Sequence, residues 1–411
     1  MAKVPRKCAK IKSTREQLEK LDKLELIDKV LQLETHNEQL KSLIAKSTNI
    51  KLKKEKTPKR PFDFSQCYKR HILLKFYYLG WDYHGFTVQE DNSDTIEHHL
   101  FAALLKSCCI ESRESANYHR CGRTDKGVSS FSQVISLDVR SRLKPENQDN
   151  LSDELAYCKI LNRLLPANIR CIAWSPVPSN FSARFDCKYR RYKYFFPRGN
   201  LDIDAMDIAA KFVIGDHDFR NICKMDVGNG VTNFKRTVID ARVTPVNESE
   251  EKSTGYDMCE FEITSQAFLW HQIRCLMGIL LLIGQKKEEP EIILKLLDIE
   301  TCPQKPQYNM AHEIPLNLWH CDYESINWLI DESELLNTIK ILQQDWTLNT
   351  IKSTMIKNML TELENFVKCT NFQSDCLLLG VQSKIYQPLM KRDLCESLEN
   401  KIKHYEKKRK F

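Results

Sequence analysis

Nowhere in these 411 residues does an apolar run approach the roughly 20 residues of a membrane span. The opening Met-Ala-Lys-Val-Pro-Arg-Lys-Cys lacks the apolar stretch of a secretory leader. Secretion and membrane spanning are therefore not expected. Metal-binding spacing is missing too. The chain has 16 cysteines, but no two stand at Cys-x-x-Cys spacing and no pair is followed by close histidines. By spacing rules no zinc site and no metal cofactor are expected. Scattered thiols without a leader point instead to a reducing compartment, where most act as small buried apolar residues.

A large net charge is also lacking, at +7 overall. Its placement is uneven. Residues 1–60 hold 17 basic and 8 acidic side chains, and residues 384–411 hold 9 and 4, so the intervening body is net −7. A body of that sign can bind a polyanion only by concentrating its cations locally. With 42% hydrophobic residues the chain can build sizeable cores. At roughly 150 residues per domain, its length suggests two domains plus extensions.

Residues 1–60 read as a basic N-terminal helix and linker. Ser13 and Glu16 fit a capping box. Leu26, Leu33 and Leu40, with Val30, Asn37 and Ile44 between them, form three heptads suited to a short coiled coil or a lone amphipathic helix. A Lys-rich segment with Pro58 and Pro61 follows, either a nuclear address, a phosphate-binding arm or a solvated linker. A first α/β domain is expected over 61–180. Its strand His71–Tyr78 leads to a two-glycine loop and a helix opened by Asp94. Ile96, Leu100, Leu104 and Cys108 line one face of that helix, and a strand with Ile135, Leu137 and Val139 on one side follows. Residues 152–165 read as a further helix. A second α/β domain is expected over 181–330, with strands at 188–196, 238–243 and 258–264 and a helix from His271 to Ile283. A helical, basic extension is expected over 331–411. The element order is not a regular βαβα alternation, so the fold class expected is α+β with mainly antiparallel sheets.

Three stretches could carry chemistry. In Arg120-Cys-Gly-Arg-Thr-Asp-Lys-Gly127, Gly122 and Gly127 permit positive φ and close approach of a ligand. Asp125, flanked by Arg123 and Lys126, could be an ionised nucleophile or the cap of an Asx turn. Between Asn180 and Tyr194, Arg184, Arg190, Arg191 and Lys193 are interleaved with aromatics. That suits guanidinium-to-phosphate and ring-to-base contacts, or equally a strand with one aromatic and one charged face. In Gln266–Gly278, Arg274 interrupts an apolar helix and requires an anionic partner, either a substrate phosphate or a structural carboxylate. Trp270, Arg274 and Gly278 fall on one stripe, where Gly278 would let another backbone approach.

These stretches, in this order, resemble the motifs of the TruA-type tRNA pseudouridine synthases. Tyr78-x-Gly80-x-x-Tyr83-x-Gly85, Thr95-Ile96-Glu97, Gly215-Asp-His-Asp-Phe219 and Pro315-Leu-x-Leu-x-x-Cys-x-Tyr323 extend the likeness over about residues 70–325. Lys126 and Ser129 stand where bacterial members usually have Ala and His. The Trp270-His-Gln wording and the basic N-terminal segment are similar to the eukaryotic branch that modifies uridines 38 and 39 of the anticodon stem-loop.

The resemblance implies two α/β halves around a central basic cleft, tRNA as partner, and an isomerisation without metal or organic cofactor. It implies Asp125 as the nucleophile, attacking either C6 of the base or C1′ of the ribose. Arg274 would pair with Asp125, Arg123 would help flip the base, and Tyr192 would pack on it and assist proton removal at C5. Arg184, Arg190, Arg191, Lys126 and Phe181 would contact the RNA. Bacterial members are homodimers, which makes a homodimer one expectation here. Nucleus and cytoplasm are the expected locations. Another tRNA or small nuclear RNA site, or a tRNA-binding chaperone without catalysis, are the competing readings.

Overall fold

The computed structural model describes residues 26–27, 29–30, 34, 62–89, 94–246, 254–367, 375–380 and 385–409. The chain divides into Met1–Phe62 and Asp63–Phe411. In the first unit, the capping box, the basic linker and most heptad positions lie outside the described residues. Leu26 and Val30 are described, and both are helical and exposed.

The second unit is built on strands whose alternation separates two cores. In β1 (Tyr68–Tyr78), Ile72, Leu74, Phe76 and Tyr78 face one core and Leu73 faces the other. β1 pairs antiparallel with β3 (Ser129–Ser141) and β4 (Ile169–Pro176), and the short β2 (His119–Arg120) pairs with β3. Ile135, Leu137 and Val139 of β3 join the first core, as their alternation predicts. Helix α1 (Ile96–Lys106) covers it with Ile96, Leu100 and Leu104. Its cap is Thr95 rather than Asp94. The Thr95 side chain accepts from the His98 N–H, and the Gly85 and Phe86 carbonyls accept from Ile96 and Glu97. Cys108 lies past the helix end in a left-handed conformation, φ 53°. The helix expected over 152–165 is only α2 (Tyr157–Asn162), preceded by a 3₁₀ turn at Leu151–Asp153.

The second core lies against β5 (Tyr189–Pro197), β6 (Gly215–Asp218), β7 (Lys235–Pro245) and β8 (Met258–Ser265). Helices α3 (Ile203–Lys211), α4 (Gln272–Gly284) and α5 (Ile292–Leu297) pack there. Tyr192, Tyr194 and Phe196 of β5 and Cys259, Phe261 and Ile263 of β8 point inward. On the opposite face, Glu262 is reached by Arg242 at 2.6 Å and Lys193 at 3.4 Å.

In place of a separate sheet for each half, there is one sheet, ordered β4-β1-β3-β9-β5-β8-β7-β6. The link is β9 (Leu316–Asp322), which is antiparallel to β5 but parallel to β3 through Ser129↔Asn317 and Ser130↔Leu318. Every other pairing is antiparallel. Local periodicity reveals strands but not their neighbours, so this seam is invisible in the sequence. Beyond it runs the 33-residue α6 (Glu332–Glu364), in which only Thr338 is buried. The C-terminal part packs back onto the body, with Leu377, Leu389 and Leu398 buried and α7 (Leu398–Arg409) closing the chain.

Glu97 is fully buried at the start of α1. It accepts from Arg120 at 2.6 Å, Tyr118 at 2.7 Å, Arg113 at 3.0 Å and the Val88 N–H at 3.1 Å. Burial favours its protonated form, but the Tyr118 hydroxyl, Arg120 and the other donors outweigh burial and hold the carboxyl below its ordinary value. Its folded pKa is depressed, so its stabilising effect is present above the unfolded value of about 4.3 and is lost as pH falls through the folded one. Glu97→Gln leaves two arginines without their counter-charge. Both regain some water, so the expected loss is about 3 kcal/mol, the low end for a broken buried pair. Urea unfolding at neutral pH measures it, and an unchanged midpoint would exclude this role for Glu97.

Candidate active site

The Gly-Arg-Thr-Asp loop between β2 and β3 is held from beneath by the 79–86 loop. The Tyr78 hydroxyl lies 2.8 Å from Thr124 Oγ1. The Gly127 N–H donates to the Tyr83 carbonyl and the Phe86 N–H to the Thr124 carbonyl, both at 3.1 Å. A Cβ on Gly80 would sit 1.9 Å from the Val128 carbonyl oxygen, so only glycine allows that approach. Gly127 takes the positive φ expected of it, +77°, whereas Gly122 does not. The Val128 N–H donates to the Asp125 carbonyl and closes the turn. The Asp125 carboxylate is left to point at α4, with 30% of the side chain exposed.

Arg123 and Lys126 do not supply the cation beside Asp125, since both side chains turn to solvent. The groups beside it lie at the start of α4. His271 Nε2 lies 3.2 Å from Asp125 Oδ2, and Arg274 Nη1 lies 3.8 Å from the same oxygen. Arg274 is almost fully buried. Its Nε donates to the Ala311 carbonyl at 2.9 Å and its Nη2 to Glu313 Oε2 at 2.7 Å. The expected Asp125–Arg274 pairing is thus present as the longer arm of a fork whose tighter bonds go to the segment before β9. His271 caps α4 in a left-handed conformation, φ 57°. Trp270 precedes the helix, so it does not continue an Arg274–Gly278 stripe, and the Lys224 ammonium sits 4.3 Å above its ring. Gly278 does admit another backbone, because a Cβ there would come within 2.5 Å of the Asn309 carbonyl oxygen.

Asp125 opens into a cleft of about 1120 Å³ that Arg123, Arg184, Arg190, Tyr192 and Arg274 also line. Tyr192 is nearly buried and packs edge-on against Phe268, with ring centroids 5.2 Å apart. Burial, followed by the neighbouring Cys321 and Tyr78, pushes its phenol well above the usual value, so it is neutral. Arg190 spans from Gln266 to the Cys121 and Arg184 carbonyls and fixes the floor of the cleft. Arg191 points to the opposite face of the sheet, 3.9 Å from Glu262. Strand alternation separates it from Arg190 and Tyr192, so it does not line the cleft. Phe181 is likewise outside, packed on Tyr323, and Lys126 is exposed beyond the lining. His271, Glu313, Arg120 and Arg236 are functional candidates that residue-by-residue reading missed. His271 was visible three residues before Arg274, but nothing local linked Glu313 to this site.

Comparison with known proteins finds relatives over most of the chain. A family model described as tRNA pseudouridine synthase matches residues 209–324. The chain is 44% identical to the tRNA pseudouridine(38/39) synthase of Homo sapiens, covering 92% of this chain and 87% of the relative. It is also 44% identical to that of Mus musculus, covering 95% and 88%. Identity to the Saccharomyces cerevisiae protein of the same name is 38%, over 94% of this chain and 91% of the relative.

Gly278→Ala is expected to push the 309–311 segment off α4 and loosen the Ala311 hold on Arg274. A loss of about 2 kcal/mol is expected from overpacking against backbone. Denaturant unfolding measures it, and a wild-type midpoint would mean that the segment yields freely.

Proposed function

The chain belongs to the tRNA pseudouridine synthase family, and from that premise we propose that it converts uridines 38 and 39 of the tRNA anticodon stem-loop to pseudouridine, with Asp125 as nucleophile. The observation that carries the proposal is the Asp125 carboxylate. It is partly exposed in the cleft, backed by His271 and Arg274, and mounted on a loop whose backbone is tied to its neighbours. The charge of the cleft supports an RNA substrate. Arg120, Arg123, Arg184, Arg190, Arg236 and Arg274 line it against Asp125 and Asp226. A body of net negative charge thus gathers its cations where a phosphate backbone would lie.

The chain's own groups divide the work. A stem uridine must leave its stack at a cost of a few kcal/mol, and the exposed Arg123 and Arg184 meet the displaced strand. The neutral Tyr192 ring, steadied by Phe268, forms a wall for the flipped base. Arg274 aims the carboxylate while bond breaking frees the base. Asp125 bonds to C1′ or to C6 as the N1–C1′ bond breaks, the base turns, C5 bonds to C1′ and the bond to Asp125 breaks, and the proton lost from C5 is balanced by one gained at N1. The product is an isomer of the substrate.

The test is a tRNA transcript carrying U38 and U39, with pseudouridine mapped by position. Asp125→Ala should bind the transcript like wild type yet form no pseudouridine, and residual wild-type turnover would sink the assignment. Arg274→Lys keeps the charge but cannot hold Ala311, Glu313 and Asp125 together. Its turnover should fall at least about tenfold, ~1.4 kcal/mol of barrier, with tRNA affinity little changed. Product at positions other than 38 and 39 would reassign the target while leaving the chemistry intact.

A further inference from the structure

Directly beneath the Asp125 loop, the fold gathers three thiols that the reaction does not use. Cys121 follows β2, Cys187 precedes β5 and Cys321 lies on β9. Their sulfurs all lie within 4.8 Å of one another, and Cys121 Sγ is 3.3 Å from Cys321 Sγ. All three residues are nearly buried. Two of them, Cys121 and Cys187, reach the cleft wall. Among the described residues this is the only His, Cys, Asp or Glu cluster with metal-ligand spacing. No local motif betrays it, because the three come from separate elements that meet where β3, β9 and β5 run side by side.

We propose that Cys121, Cys187 and Cys321 bind one zinc ion at the floor of the cleft, with a water from the cleft as fourth ligand. Zinc–sulfur bonds of about 2.3 Å place tetrahedral thiolates about 3.8 Å apart, within the spread of this cluster. Charge fits as well. Three thiolates around a divalent cation leave one negative charge, and Arg190 lies beside Cys321 in the β5–β9 register with its Nη2 on the Cys121 carbonyl. Binding of zinc by three thiolates releases their protons to solvent. The ion would pin the Asp125 loop to both halves of the sheet at the seam, where β3 and β9 share only two residue pairs.

The experiment uses the full chain, purified and kept reduced, equilibrated with zinc and then dialysed. Metal content is measured by plasma mass spectrometry, and cobalt is substituted as a spectroscopic probe. The expected result is one zinc retained per chain, thiolate-to-cobalt charge-transfer absorption, and a Tm lowered by about 3 °C or more on chelation. Cys187→Ser and Cys321→Ser should lose metal and absorption together, whereas Cys376→Ser, altered at an exposed thiol, should keep both. Folded, reduced wild-type protein that retains no zinc and shows no thiolate band would overturn the proposal and leave three packed thiols. Undiminished zinc in Cys321→Ser, or a Cys121–Cys321 disulfide in place of metal, would overturn it as well. Because these readouts do not involve RNA, a failure here is separable from a failure of the proposed reaction.

Discussion

Two residue pairs of parallel ladder, Ser129↔Asn317 and Ser130↔Leu318, hold the site in being. Side chains reinforce them. Ser130 Oγ donates to the Leu318 carbonyl, and Asn317 Oδ1 accepts from the Phe131 N–H, each at 2.9 Å. β3 starts just past the Asp125 loop, and β9 starts three residues after Glu313. Bringing the two strands side by side therefore sets Asp125 and Glu313 on either side of Arg274. On its far edge β9 carries β5 and with it Tyr192. Without the seam, each half would keep its own core but the cleft would lose one wall.

Electrostatics then sharpens what topology brings together. A guanidinium buried in an apolar helix is costly unless its donors are satisfied. The Ala311 carbonyl and Glu313 satisfy Arg274 firmly and fix its plane, which leaves the third arm toward Asp125 at 3.8 Å. The longer contact suits the nucleophilic role proposed for Asp125. A nucleophile locked in a short bidentate pair would have to break it first, whereas Asp125 keeps a screened opposite charge and one open side. His271, closer at 3.2 Å and held at the helix entrance, steadies the same oxygen.

What could be read from the residues was what depends on neighbours in sequence. The alternation of Ile135, Leu137 and Val139, the aromatic face of β5 and the glycine-bearing loops are local patterns, and they appear where expected. Asp125, Arg123, Arg184, Arg190, Tyr192 and Arg274 do converge on one cleft. Arg191 lies on the face opposite Arg190 and Tyr192, because the twofold alternation of a strand sends adjacent arginines to opposite faces. Glu313 and the thiol cluster were illegible for another reason. Their partners lie 39 to 200 residues away in the chain, and only strand order, which periodicity does not encode, brings them together. The single continuous sheet escaped notice on the same ground.

The late position of β9 also sets the order in which this molecule can come into existence. β1, β3, β4 and α1 form a local antiparallel unit within residues 68–176, onto which Leu329 is later added beside Trp174. β5 and β8 can likewise pair with each other, but until residues 316–322 have been made, β5 presents an unpaired edge and the start of β3 lacks its partner. A growing chain thus carries an open ladder while residues 198–315 are made, the condition in which strands find wrong partners. Insertion of one seven-residue strand covers the β5 edge, joins it to the start of β3 and completes the cleft in the same event. The half-made protein therefore has no assembled site with which to engage RNA, and the step that relieves its aggregation hazard is also the step that makes it an enzyme.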